Sequence, residues 1–428
     1  MPRSLSRHHG PVRTEGNAGY GAVLRNREYV TLLVSQSLSV LGDQVAAIAL
    51  ALLVFDRTGS AFAAAATFAV GYATGILVGP FLSTLADRYP RRTVMVVSDA
   101  VRFVLVGALA LQPPTPVLFA LIGLVGAASP AFSSARSATL PDVLSYEDYS
   151  TGQGLVSNAA QASQVLGFAL GGVMVATIGA GGALVVDAAT FAASALAIRL
   201  LLQHRPAVGD AHAGLLRETL LGARTVQRSQ ELRYWLAWGM LIVGATAAPE
   251  GLAVALSRGE GGGPVAAGLL TAAGPLGFIL GTFALIQVPA ARRARLLPWA
   301  TSLCFLPLIL TALSPALAVV MLLWALAGAG GAIQVVANTG YVMASSPALR
   351  GRLFGVADTA MMAIQGLVLV VAGAAASRWG AATTIAVFGG LGLLTTGVLQ
   401  LRGTAPVISS RAQELPKAVL TGTGGEQA

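Results

Sequence analysis

Seven ionisable side chains lie inside long apolar runs of this 428-residue chain: Asp43, Asp99, Arg102, Arg136, Asp187, Glu250 and Asp358. A charge at the centre of a bilayer costs at least about 2.5–3.5 kcal/mol on insertion scales, so each is a candidate for proton or substrate chemistry. They differ in how they can be compensated. Asp99 and Arg102 stand at i and i+3 on one helical face and can neutralise each other. Arg136 is close to an interface that its long side chain can reach by snorkelling. Asp43 sits deepest and has no partner near it in the sequence. A carboxylate stripped of water can take up a proton near neutral pH, which is what a proton-coupled carrier requires. Glu250 follows about 207 residues later at a corresponding depth, with Asp187 and Asp358 as further candidates. Each carboxyl also reads as a buried group hydrogen-bonded between helices.

Uncharged polar residues extend the set. Gln36, Asn158, Gln161, Gln164, Gln334, Asn338 and Gln365 fall within apolar runs. They can line a shared cavity, or tie helices together with hydrogen bonds worth about 0.6 kcal/mol each. Gly328, Gly330 and Gly331 interrupt one run and suit either a flexing gate or close helix packing.

The chemistry that is missing narrows the class. The chain has no Walker A loop, so it does not hydrolyse ATP, and it has no HExxH, CxxC or G-x-S-x-G motif. His8, His9, His204 and His212 all lie outside the apolar runs, and Cys304 is the single cysteine, so no intrachain disulfide forms. We expect neither an enzyme, nor a metal site, nor a bound cofactor.

The elements that must position these residues are membrane helices. Hydrophobic residues make up 55% of the chain and charged residues only 11%, with a mean hydropathy of +0.73. Soluble domains carry about 25% charged residues. A helix needs about 20 apolar residues to cross a bilayer. Turn and charge signals divide the chain into twelve spans: 30–54, 61–86, 93–111, 117–138, 154–178, 181–202, 234–256, 265–287, 296–312, 316–343, 354–376 and 380–401. The expected fold class is therefore an all-α polytopic membrane protein, with twelve transmembrane helices in two pseudo-symmetric six-helix bundles, 30–202 and 234–401. A tail, 1–29, precedes them and a second, 402–428, follows. The first apolar run is too long for a signal peptide and reads as an uncleaved helix. The polar segment 203–233 joins the bundles, and its stretch LLRETLLGARTV has the leucine spacing of a helix lying on the membrane surface.

Alternating the loops gives 23 arginines and lysines on one side and three, Arg57, Arg258 and Arg378, on the other. By the positive-inside rule both termini and the 203–233 segment are cytoplasmic. The net charge of +9 is spread between apolar segments, with no basic domain to hold nucleic acid. The expected partners are the lipid bilayer and a small-molecule substrate, with the chain acting as a monomer in the cell membrane.

The chain also repeats itself. Shifted by about 201 residues, Gly154, Ala159, Ala162, Gln164, Leu166 and Gly172 fall on Gly355, Ala360, Ala363, Gln365, Leu367 and Gly373. Two halves in parallel relation are a feature of alternating-access transporters.

Three motifs carry a family resemblance. Between spans two and three, Asp87, Arg88, Arg91 and Arg92 match the G-x-x-x-D-R-x-G-R-R/K loop of the major facilitator superfamily, with Ser83 and Pro90 where glycines are usual. In span five, Gln164-Val-Leu-Gly167-Phe-Ala-Leu-Gly171-Gly172 resembles the superfamily's antiporter motif, with Phe168 in place of its proline. The Arg350-Gly351-Arg352 loop and the Gly42-Asp43 pair resemble the branch that includes enterobactin exporters and macrolide efflux proteins. The resemblance implies that the Asp87 loop bridges the two halves in the outward-facing state. A carboxylate beside the N-terminus of span eleven is favoured there by ~0.3–1 kcal/mol. It also implies export of a small amphipathic compound, such as a drug, siderophore or secondary metabolite, driven by a proton gradient. Lysolipid or lipid flipping, solute uptake, and a non-transporting scaffold or sensor are the competing expectations.

Overall fold

A computed structural model of the chain describes residues 20–83, 85–205, 215–313, 316–346 and 349–402, and every regular element among them is helical. Eleven helices are long and apolar enough to cross a membrane. One of them, Tyr146–Leu201, is 56 residues long and is broken at Gly179. Gly179 takes φ 74° and ψ 169°, a conformation that costs glycine little and side-chain-bearing residues much. The limb before Gly179 is span five and the limb after it is span six, which gives twelve crossings.

Helices are the natural solution in lipid, because each satisfies its own backbone donors and acceptors. Local signals set their ends. Asn26 caps span one (Arg27–Thr58) by accepting from the amides of Glu28 and Tyr29, and Gly59 closes it in the left-handed region at φ 63°. Ser145 caps span five, and Ser229 caps span seven (Gln230–Gly259).

Several helices run beyond the expected spans: span four covers Thr115–Val143 and span eleven Arg350–Trp379. Spans two and three (Ala61–Ser83 and Arg91–Ala110) are separated by the short helix Leu85–Arg88. Span eight covers Pro264–Ile286, span nine is centred on Leu297–Leu310, and span twelve covers Ala381–Arg402. Span ten breaks into Leu317–Gly331 and Gln334–Ala344, immediately after the glycine cluster that predicted an interruption.

Spans one to six and seven to twelve pack as two halves, and the buried clusters show how they meet. Near Arg91 and Arg350 each half keeps its own core. One contains Tyr29, Phe132, Leu140 and Ile198, the other Trp235, Trp238, Tyr341 and Leu353. Toward Arg258 the cores are shared. Ile48, Leu52 and Phe168 pack with Val254 and Ala267, and Ala69 packs with Ala247 and Leu369. The halves are thus sealed together at the Arg258 end and stand apart at the Arg91 end. Helix Leu215–Arg228 packs against the second half, with Val226 buried beside Trp235 and Leu353.

Candidate functional site

A cavity of about 890 Å³ lies between the halves. Span eight supplies one continuous stripe of its wall, from Thr271 through Pro275, Phe278 and Thr282 to Ile286, at the i, i+4, i+7 spacing of one helix face. Span five faces it with Asn158, Gln161 and Gln164, span ten with Gln334 and Asn338, and span eleven with Asp358, Met361 and Gln365. Six of the seven amides singled out in the sequence converge here. Gln36 does not, and its Oε1 is buried on span one without a partner among the described residues.

Two carboxyls face the cavity. Glu250 is half-buried and follows Pro249, inside span seven. Asp358 is exposed. No arginine, lysine or histidine among the described residues lines this chamber, although the protein as a whole carries +9. Sequence reasoning missed Tyr72, which joins the lining from span two close to Glu250, and Met361, whose sulfur lies 3.8 Å from Gln334 Nε2. A mid-span tyrosine was the available signal for the first.

The sealed end rests on glycine. A Cβ on Gly172 would stand 2.5 Å from the Pro264 carbonyl and 3.0 Å from the Gly268 Cα, so spans five and eight cross backbone to backbone. A Cβ on Gly373 would stand 3.0 Å from Ala65 and the Phe62 backbone, where span eleven crosses span two. Gly172 and Gly373 are repeat partners, as are cavity-lining Gln164 and Gln365. The sequence repeat therefore marks the same pair of contacts in each half. Gly167 and Gly171 turn toward span one instead, against Leu41, Gln44, Val45 and Ile48.

Four of the remaining charges gather elsewhere, inside the first half. Arg102 Nη2 lies 2.5 Å from Asp99 Oδ1, and Nη1 lies 3.1 Å from Ser39 Oγ and 4.0 Å from Asp43. Its guanidinium is centred 4.4 Å from the Phe191 ring and 5.0 Å from that of Phe132. Ser194 donates to Asp99 Oδ2 at 2.6 Å. Asp187 reaches the same cluster from span six, directly behind Gly42, and lies within electrostatic reach of Asp43 and Arg102. Asp187 Oδ2 has no hydrogen-bond partner among the described residues. The expected Asp99–Arg102 pair is thus one edge of a four-residue cluster, one cation facing three carboxyls. Asp43, without a partner near it in sequence, finds one on span three. The Asp43 side chain is 37% exposed, whereas those of Asp99 and Arg102 are 0% and 3% exposed.

Arg136 lies outside this cluster. It is 9% exposed, faces Tyr29 and Tyr149, and leaves Nε and Nη1 without partners among the described residues. In the Asp87 loop, Arg91 pairs with Asp142 at 2.5 Å and donates to the Ala138 carbonyl at 2.6 Å. Arg92 donates to the Arg199 carbonyl. Both contacts stay within the first half. Arg88 is exposed, and the side chain of Asp87 lies outside the described residues.

Comparison with known proteins follows the same lines. Residues 32–295 match the family model described as Major Facilitator Superfamily. The multidrug efflux pump Tap of Mycobacterium tuberculosis is 27% identical over 405 residues, covering 87% of this chain and 92% of that protein. The uncharacterized MFS-type transporter YkuC of Bacillus subtilis is 28% identical over 182 residues, 41% of this chain and 42% of its own. Among solved structures, the nucleoside transporter NupG superposes with a TM-score of 0.68 at 14% identity, covering 87% of this chain and 98% of that one. A bacterial homolog of the human lysosomal transporter Spinster, in its inward-facing and unoccupied conformation, gives 0.69 at 13% identity over 88% and 96%.

Proposed function

The chain belongs to the Major Facilitator Superfamily, and from that premise we propose that it is a proton-coupled exporter of small amphipathic compounds, held here with its cavity open to the cytoplasm. The observation that carries the reading is the cavity between the halves, which among the described residues is sealed by shared cores and glycine crossings at the Arg258 end. The arginine asymmetry supports assigning that end to the outside and both termini to the cytoplasm, in a protein of the cell membrane. The likeness to Tap, a multidrug efflux pump by name, supports the direction of transport.

The cavity suits an amphipathic cargo. Its amides offer donors and acceptors to polar groups, and Phe278, Trp324, Met361 and Met362 offer polarisable apolar surface. The buried cluster suits the coupling. One guanidinium cannot neutralise three carboxylates in a low-dielectric interior, so the cluster holds protons. Asp43 is the more exposed of the two carboxyls paired with Arg102. Asp43 takes a proton when the cavity opens outward and releases it when the cavity opens inward, where cargo binds. Energy comes from the proton gradient alone, and a single chain suffices.

The test is proton flux in proteoliposomes, with an imposed pH gradient and a panel of amphipathic compounds. Export predicts cargo-dependent proton movement for some of them. A change in lipid asymmetry with no response to any soluble compound would favour lipid flipping instead.

A further inference from the structure

A second cleft, of about 320 Å³, lies outside the central cavity on the Arg91 end of the first half, where span three begins and span six ends. It is lined by Arg92, Thr93, Val96, Arg199 and His204. Among the described residues, the acids nearby are already engaged. Glu28 is bound by Arg205 at 2.7 Å and accepts from the Gln203 amide, and Asp142 is bound by Arg91. Arg92 spends one donor on the Arg199 carbonyl. The Arg199 side chain is exposed and unpaired among the described residues. Among the described residues the cleft therefore carries cationic donors with no carboxylate assigned to them.

An apolar surface runs away from it along both helices. On span three, Thr93, Val97, Ala100, Val101 and Val104 are exposed at i, i+4, i+7, i+8 and i+11. On span six, Arg199 continues into exposed Leu196, Val186 and Val185, at 57%, 42% and 57% exposure. Spans three and six are packed neighbours. Two apolar stripes thus converge, at the end of spans three and six, on a basic cleft.

We propose that this groove is a binding site for a phospholipid with an anionic headgroup, its phosphate held by Arg92, Arg199 and His204 and its acyl chains along the two stripes. A guanidinium is suited to phosphate because its N–H fork matches two phosphate oxygens. The site lies on the lipid-facing wall, not in the transport cavity, so it does not depend on the transport reading. It touches Arg92 of the Asp87 loop, so an occupied site acts on the segment that joins spans two and three.

The test uses the purified full-length protein and three probes: dioctanoyl phosphatidylglycerol, dioctanoyl phosphatidylcholine and inorganic phosphate, each titrated by native mass spectrometry and thermal shift. We expect the anionic lipid to bind more tightly than the zwitterionic one. Arg199→Gln should weaken the anionic lipid about fivefold, the share of one surface guanidinium, and leave the zwitterionic lipid unchanged. His204→Gln, also exposed, tests the same point independently of any fold defect at Arg199. Equal binding of the two lipids, or an unchanged affinity in both variants, overturns the site. Inorganic phosphate alone binding as tightly as the anionic lipid, with the same sensitivity to Arg199→Gln, overturns the lipid assignment in favour of a free anion.

Discussion

Arg258 of span seven is ion-paired at 2.8 Å with Asp56 of span one, across the two halves and at the end where they are sealed. The pair is part-exposed, with side chains 30% and 51% accessible, so it contributes about 0.2–1 kcal/mol. That is enough to shift a conformational equilibrium by up to about fivefold. Asp56→Asn should increase labelling of a cysteine placed at Ser257, in a Cys304→Ser background. The swap Asp56→Arg with Arg258→Asp should restore the original rate. Unchanged labelling in Asp56→Asn would mean that the pair does not hold the seal.

The glycine crossing is the stronger closure. Gly172 and Gly268 approach through their backbones, and neither has room for a side chain. Gly172→Val should strain the crossing by roughly 1–3 kcal/mol, as overpacking does elsewhere. Gly373→Val should act similarly on the span two contact. We expect both proteins to insert normally but to populate the sealed state less, read as higher labelling at position 257 and lower transport. Full transport by both would show that the crossings tolerate spreading.

In the present state Arg91 and Arg92 bond within the first half. The family resemblance implies a contact from Asp87 to span eleven in the outward-facing state, and its loss would shift the balance between states. Asp87→Asn should lower transport several-fold at unchanged membrane abundance. If it transports normally while Arg91→Ala alters insertion, the loop is a topology signal only.

Much of this architecture was legible because lipid imposes a simple rule. Each span needs an apolar run of fixed length, and the arginines between runs mark sides. The glycine cluster before Ala332 announced the break in span ten, and the Gln164/Gln365 match announced two residues that share one cavity. The Asp43–Arg102 approach was not legible. Its partners are on spans one and three, and nothing local in the sequence records which faces of two helices meet. Asp187 was recognised as costly but not placed, for the same reason. Gly172 stood out in the span-five motif, but its counterpart Gly268 on span eight did not, because only the crossing shows that both are needed at one point.

Proton coupling, as proposed, runs through Asp43, the part-exposed carboxyl of a cluster that has one cation for three acids. The direct measurement is cargo transport in proteoliposomes under an imposed pH gradient, for the wild type, Asp43→Asn and Glu250→Gln, with cargo binding and counterflow measured on the same preparations. Asp43→Asn mimics a permanently protonated group. It should abolish gradient-driven transport while leaving cargo binding within about twofold and counterflow exchange intact, because only the coupled step is removed. Glu250→Gln should retain gradient-driven transport with weakened cargo binding. If Asp43→Asn keeps full gradient-driven transport and Glu250→Gln loses it, the coupling proton sits in the central cavity and the assignment to the Asp43 cluster is contradicted.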